Sequence, residues 1–101
     1  MATDALIIPA SNALDPITVI FQDLEPRKGR IIVLCYGEAW TAYWNAMPQE
    51  TVREFVVNMD AAYLENKLTS QRDTKKWQKY LGRIVANIKA ELPQEEVKYG
   101  E

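Results

Sequence analysis

The residues able to do chemistry are few, and their spacing does not gather them. The 101-residue sequence contains no histidine. That removes the commonest general base near neutral pH, the Ser-His and Cys-His pairs, and most zinc sites. Cys35 is the single cysteine. It has no histidine to activate it, and its place in an apolar run makes it a small core hydrophobe. Glu38, Glu50, Glu54, Asp60 and Glu65 are scattered carboxylates, and no two form an acid/base couple. No calcium loop, phosphate-binding glycine loop or dinucleotide fingerprint is present, and four glycines leave little material for one. The expectation is a protein with no enzymatic activity, no cofactor and no metal site.

Two chemically suggestive clusters remain. Arg72, Lys75, Lys76, Lys79, Arg83 and Lys89 face only Asp73 in the same stretch. Lys75, Lys79 and Arg83 recur at i,i+4, so they share one helical ridge. Joined by Arg27, Lys28 and Arg30, they could track a phosphate backbone. The plainer reading is a solvated helix face, because charge runs usually serve that purpose. The aromatic run Trp40-Thr41-Ala42-Tyr43-Trp44 could stack on bases or ligands. In a strand, however, Trp40 and Trp44 fall on one face, where core packing accounts for their bulk.

The elements that must position these residues read as strands followed by helices. Residues 1–15 are expected as a flexible arm, 16–92 as one domain and 93–101 as a polar tail. Ile17–Leu24, Arg30–Tyr36 and Ala39–Asn45 carry strand patterning, joined by a polar loop at Glu25–Gly29 and a Gly37-Glu38 turn, with a short helix the alternative for Ala39–Asn45. Gly29 is the natural residue for a positive φ in that loop. Pairing Tyr36 with Ala39 and Leu24 with Arg30 collects Val19, Phe21, Ile31, Val33, Cys35, Trp40, Ala42 and Trp44 on one face. A helix is expected from Pro48 through Met59, then either a short continuation over Ala62–Leu68 capped by Asp60 or the same helix running on with a bend, and a long helix to about Leu92. The last has a Ser70-x-x-Asp73 capping signal at its start, and Pro93 follows its expected end. Trp77, Leu81, Ile84, Val85, Ile88 and Leu92 form its apolar stripe. This order predicts an α+β fold: a three-stranded antiparallel sheet with two or three helices packed on one face.

That architecture leaves the other sheet face without a cover. It would present Thr18, Ile20, Gln22, Ile32, Leu34, Tyr36, Ala39, Thr41 and Tyr43, which is too apolar for an ordinary solvated face. Either a partner or second copy binds there, through Ile20, Ile32, Leu34, Tyr36, Thr41 and Tyr43, or Leu6-Ile7-Ile8 of the arm folds over it.

Composition narrows the classes further. Hydrophobic residues make up 48% of the chain, which suits a folded globule. A net charge of -2 calls for neither nucleic acid nor acidic membrane. No stretch approaches the roughly 20 apolar residues of a membrane helix. Met1–Ala10 carries Asp4 and lacks the basic start of a signal peptide. One cysteine permits no internal disulfide and fits a reducing, cytoplasmic setting.

At Gly37-Glu38-Ala39-Trp40-Thr41-Ala42-Tyr43-Trp44-Asn45-Ala46-Met47 the chain resembles a group of small tailed-phage and prophage proteins. The resemblance extends to Pro16-Ile17-Thr18-Val19, Thr51-Val52-Arg53-Glu54-Phe55 and Asp60-x-x-Tyr63-Leu64, and so covers most of residues 16–92. That group has no assigned activity, and no catalytic residue carries over. The resemblance implies an accessory protein made in the bacterial host's cytoplasm. Small phage proteins of this size are often stoichiometric binders of host or phage machinery, so the expected action is binding a host or phage protein, anti-defence inhibition included, or self-association. The alternative is a weak nucleic-acid-binding module using Arg27, Lys28, Arg30, Lys75, Lys79 and Arg83.

Overall fold

The computed structural model describes residues 2–10, 14–68 and 75–99, with the side chains of the last helix described over 78–92. The strands β1 (Ala2–Ile8), β2 (Ile17–Glu25), β3 (Lys28–Cys35) and β4 (Glu38–Trp44) precede the helices α1 (Val52–Asn58), α2 (Ala61–Leu68) and α3 (Lys75–Tyr99). The α+β class is as expected, but the sheet has four strands rather than three, in the order β1-β2-β3-β4. The extra strand comes from the residues expected as an arm. Leu6 and Ile8 share a face and pair with Val19 and Ile17, which gives β1 an apolar stripe of its own. Every connection is antiparallel to the sequence neighbour, so the sheet is a simple meander.

One face of this sheet is the floor of the core. Val19, Phe21, Ile31, Val33, Cys35, Trp40, Ala42 and Trp44 are all buried, as their shared parity requires. The pairing partners, however, differ from those expected. Val33 lies opposite Trp40 and Val19 opposite Val33, a shift of two residues in each hairpin. The turns explain both shifts. The β3–β4 turn is Tyr36-Gly37, with φ of 56° and 74°, the two consecutive positive values of a type I′ turn. The β2–β3 turn is Pro26-Arg27, with Arg27 at φ 66°, and the ladder is irregular between Asp23 and Glu25, a β-bulge that absorbs Leu24.

Gly29 therefore has a different role from the expected one. It sits inside β3 opposite Trp44 and Asp23. A Cβ there would overlap Val52 Cγ2 and lie 2.5 Å from the Gln22 carbonyl oxygen. Glycine is needed because α1 and the neighbouring strand approach the backbone too closely for any side chain.

Helix α1 begins at Val52, not at Pro48, which lies in the bent segment before it. Thr51 is the cap: its hydroxyl oxygen accepts the Glu54 N–H at 3.2 Å, and its hydroxyl donates to Glu54 Oε1 at 3.2 Å. Asp23, at the bulge, accepts the Val52 N–H at 2.8 Å. The opposite end of α1 is satisfied from α3. The Lys89 ammonium donates to the carbonyls of Val56, Val57 and Met59 at 2.7, 2.8 and 2.6 Å. Burial holds this ammonium below the ordinary lysine value, while the Asp60 carboxylate pulls the other way.

The remaining joints are aromatic and ionic. Trp44 donates its indole N–H to the Tyr63 hydroxyl of α2 at 3.2 Å and meets Phe55 of α1 edge-on at 5.1 Å. Arg53 of α1 lies 4.8 Å over the Phe21 ring and pairs with Asp4 of β1 at 2.6 Å. Leu81, Ile84, Val85, Ile88 and Leu92 of α3 are buried, as their helical spacing requires. Helical backbone continues through Pro93 to Tyr99, beyond the expected end near Leu92. Pro93 forfeits one hydrogen bond, to the carbonyl four residues back, without ending the helix. The Ser70-x-x-Asp73 signal and the Trp77 side chain lie outside the described residues.

Two substitutions test this packing. Gly29→Ala should cost about 1–3 kcal/mol, since strand and helix must separate to admit a methyl group. Lys89→Met should cost about 1.5–3 kcal/mol through the lost charged hydrogen bonds. Lys89→Arg should restore only part of it, because a planar guanidinium cannot aim three donors from one point. Urea unfolding monitored by tryptophan fluorescence reads all three; an unchanged midpoint in Lys89→Met would show that the ammonium carries no stability.

Candidate functional site

The uncovered sheet face is the surface that the strand parities build. Its outward side chains form a grid of three cross-strand rows. The first row is Ile7, Thr18, Leu34 and Ala39. The middle row is Ala5, Ile20, Ile32 and Thr41. The last is Thr3, Gln22, Arg30 and Tyr43. Among these, Ile7 is 68% exposed, Tyr43 50% and Leu34 37%. Ile20 and Ile32 are half-buried by their neighbours, and Thr41 is exposed. The grid is apolar at one end and polar at the other; Arg30 is the one charged residue of the three rows, and Lys28, the next outward position of β3, lies just beyond it.

The expected binding set thus largely holds together in space. Ile20, Ile32, Leu34, Thr41 and Tyr43 share the face. Tyr36 does not. Its left-handed backbone in the turn carries the side chain toward the helices, where the ring meets Tyr80 of α3 edge-on at 5.4 Å. In its place β1 contributes Thr3, Ala5 and Ile7. The adjacent Ile7 and Ile8 hide the alternation of β1 in the sequence, and the spacing of Leu6 and Ile8 was the signal that could have revealed it. The same strand removes one of the two expected covers, the arm. Leu6 and Ile8 pack on the core from the sheet edge, and β1 extends the face rather than folding across it.

The basic residues are not brought into one track. Arg27 is used inside the fold: its Nε donates to the Met47 carbonyl at 2.7 Å, and its main chain pairs with Met47 and Glu50. Lys28 lies 3.7 Å from Glu25. Arg30 belongs to the open face. Lys79 and Arg83 are exposed on α3, with the Arg83 guanidinium 5.9 Å from the Tyr80 ring. Since Tyr80 packs beside Tyr36, these two lie near the β3–β4 turn. The Arg27–Lys28 turn is at the other end of β3, roughly 26 Å away for eight extended residues. The Lys75 side chain lies outside the described residues.

The chemical candidates are equally dispersed. Among the described residues no group of three histidine, cysteine, aspartate or glutamate side chains could hold a metal ion. No helix among the described residues is long and apolar enough to cross a membrane. Cys35 is buried, and its thiol donates to the Asp15 carbonyl at 3.6 Å. Burial pushes this thiol up, and the nearby Asp15 carboxylate pushes it further the same way. At neutral pH the thiolate is scarcer than in a free cysteine, and the thiol is shielded as well. A thiol reagent at pH 7.5 should therefore label the native chain far more slowly than the urea-unfolded chain. Equal rates in the two states would mean that Cys35 is accessible and activated.

The comparisons with known proteins agree with the phage resemblance. A family model described as a phage family matches residues 2–98, which takes in the whole sheet and nearly all of the helical layer. No curated protein and no solved structure matches the chain. With almost its entire length inside the match, the chain belongs to this phage family, Phage_phiTE_072.

Proposed function

We propose that this chain is a non-enzymatic phage or prophage accessory protein that acts in the cytoplasm of the bacterial host by binding protein through the open face of its sheet. The observation that carries the reading is the charge content of that face. Charged residues make up 26% of the chain, yet the three central outward rows hold Arg30 alone, beside exposed Ile7, Leu34 and Tyr43, and the charges next to them, Lys28 and Glu25, sit at the polar end as a pair. Depletion of charge around apolar and tyrosine side chains is the signature of an interface core. The absence of histidine, the scattered carboxylates and the suppressed Cys35 thiol support a role without catalysis. Inhibition of a host defence protein is one activity such a surface would serve.

The test is co-purification from bacterial host cells, with a tagged chain expressed beside an untagged copy. The wild type should retain at least one protein, the untagged copy included. Leu34→Asp should lose it at least tenfold while keeping its circular dichroism spectrum, because an unpaired charge buried at an interface is costly. Equal retention by both would remove the face from the function. Retention lost instead on Lys79→Glu with Arg83→Glu, and at high salt, would move the working surface to α3.

A further inference from the structure

We infer that the open face is occupied by a second copy of this chain, packed sheet on sheet about a twofold axis that runs parallel to the strands between β2 and β3. The inference rests on the binding role proposed for that face and names its occupant. A twofold along the strands keeps each row in place and exchanges β1 with β4 and β2 with β3. Ile20 then faces Ile32 of the second copy, and Gln22 faces its Arg30. The bulky Ile7 meets the small Ala39, and Thr3 meets Tyr43. Each row is matched to itself in chemistry, which is what an isologous interface requires.

Charge decides the direction of the axis. A twofold running across the strands would instead set Arg30 on Leu34 of the other copy, burying a guanidinium against an apolar side chain. The axis along the strands sets it on a side-chain amide at the polar end, near the rim. The charges that border this row, Lys28 and Glu25, are already paired with each other at 3.7 Å, so a partner with a charged surface gains little here.

Pairing through the β1 edge is hindered at Asp4. The Asp4 carboxylate accepts the Ala5 N–H at 2.9 Å while it also pairs with Arg53, so that N–H is not offered to an incoming strand. The available area sets the strength. Four strands about 4.8 Å apart and seven residues of about 3.4 Å give a flat footprint of roughly 450 Å² per copy. That is at the low end for a specific interface, so the dimer should be weak, with a Kd on the order of 10–100 µM.

Sedimentation equilibrium from micromolar to millimolar chain should show a monomer–dimer equilibrium in that range. Thr41→Lys, at an exposed position of the middle row, should weaken it more than 30-fold, and Leu34→Asp should do the same. Orientation is read separately with a thiol cross-linker spanning about 10 Å, the spacing of stacked sheets. Thr3→Cys with Tyr43→Cys in one chain should cross-link into dimers, whereas either cysteine alone should not, because each faces the other position across the axis. Within one chain β1 and β4 are about 14 Å apart, too far to be joined by the same reagent. A wild type that stays monomeric at 1 mM overturns the inference, as does cross-linking of the single variants. If that monomer still loses a different protein on Leu34→Asp, the binding role of the face survives without the dimer; if it loses none, both fall.

Discussion

A seven-residue helix has no stability of its own in water, and α1 exists because other elements finish both of its ends. Asp23, set by the bulge in β2, takes the first N–H beside the Thr51 cap. Lys89 of α3 takes three carbonyls at the far end. The helix is thereby the joint between the sheet and the long helix. The bare backbone of Gly29 lets it lie close enough for Val52 to reach the core. Arg53, on the same helix, reaches back across Phe21 to hold the edge strand through Asp4. The placement of the helical layer on one face, and the exposure of the other, both follow from this docking.

Much of this was legible in the sequence because parity is robust to error in register. A shift of two residues changes every cross-strand partner but leaves every strand side chain on its face, so the core face, and the open face apart from Tyr36, were read correctly from misaligned hairpins. The turn residues caused the misalignment. Gly37 invites a glycine-first turn, whereas the chain uses Tyr36-Gly37 and accepts a left-handed tyrosine. Gly29 drew attention as a turn residue although its role is proximity, which depends on a helix that the local sequence does not show. Thr51-x-x-Glu54 was a readable capping signal, overshadowed by Pro48. Lys89 could not have been singled out from its neighbours. Only the tertiary structure distinguishes a lysine that solvates a helix face from one that completes another helix 30 residues away.

The open face owes its character to the same asymmetry. Three helices cover one side of a four-stranded sheet, and nothing in the described residues covers the other. A conventional solution would be to furnish that side with lysine and glutamate. Here it carries isoleucine, threonine, leucine and tyrosine, while the charges are placed on the helices and turns. The distribution separates a charged surface from an apolar one, and it sets Lys79 and Arg83 of α3 and the basic residues of the β2–β3 turn at opposite ends of β3.

The meander order has a consequence for the chain as it is being made. Every strand pairs with its immediate predecessor, so the whole sheet can close as soon as Trp44 has left the ribosome. At that moment neither of its faces has a cover, since the apolar stripe that seals the core ends at Leu92. Roughly half the protein must still be synthesised before the inner face is shielded. The nascent chain is thus most prone to misassociation between those two points, and an edge already occupied by the Asp4 carboxylate is protection in place before the helices arrive.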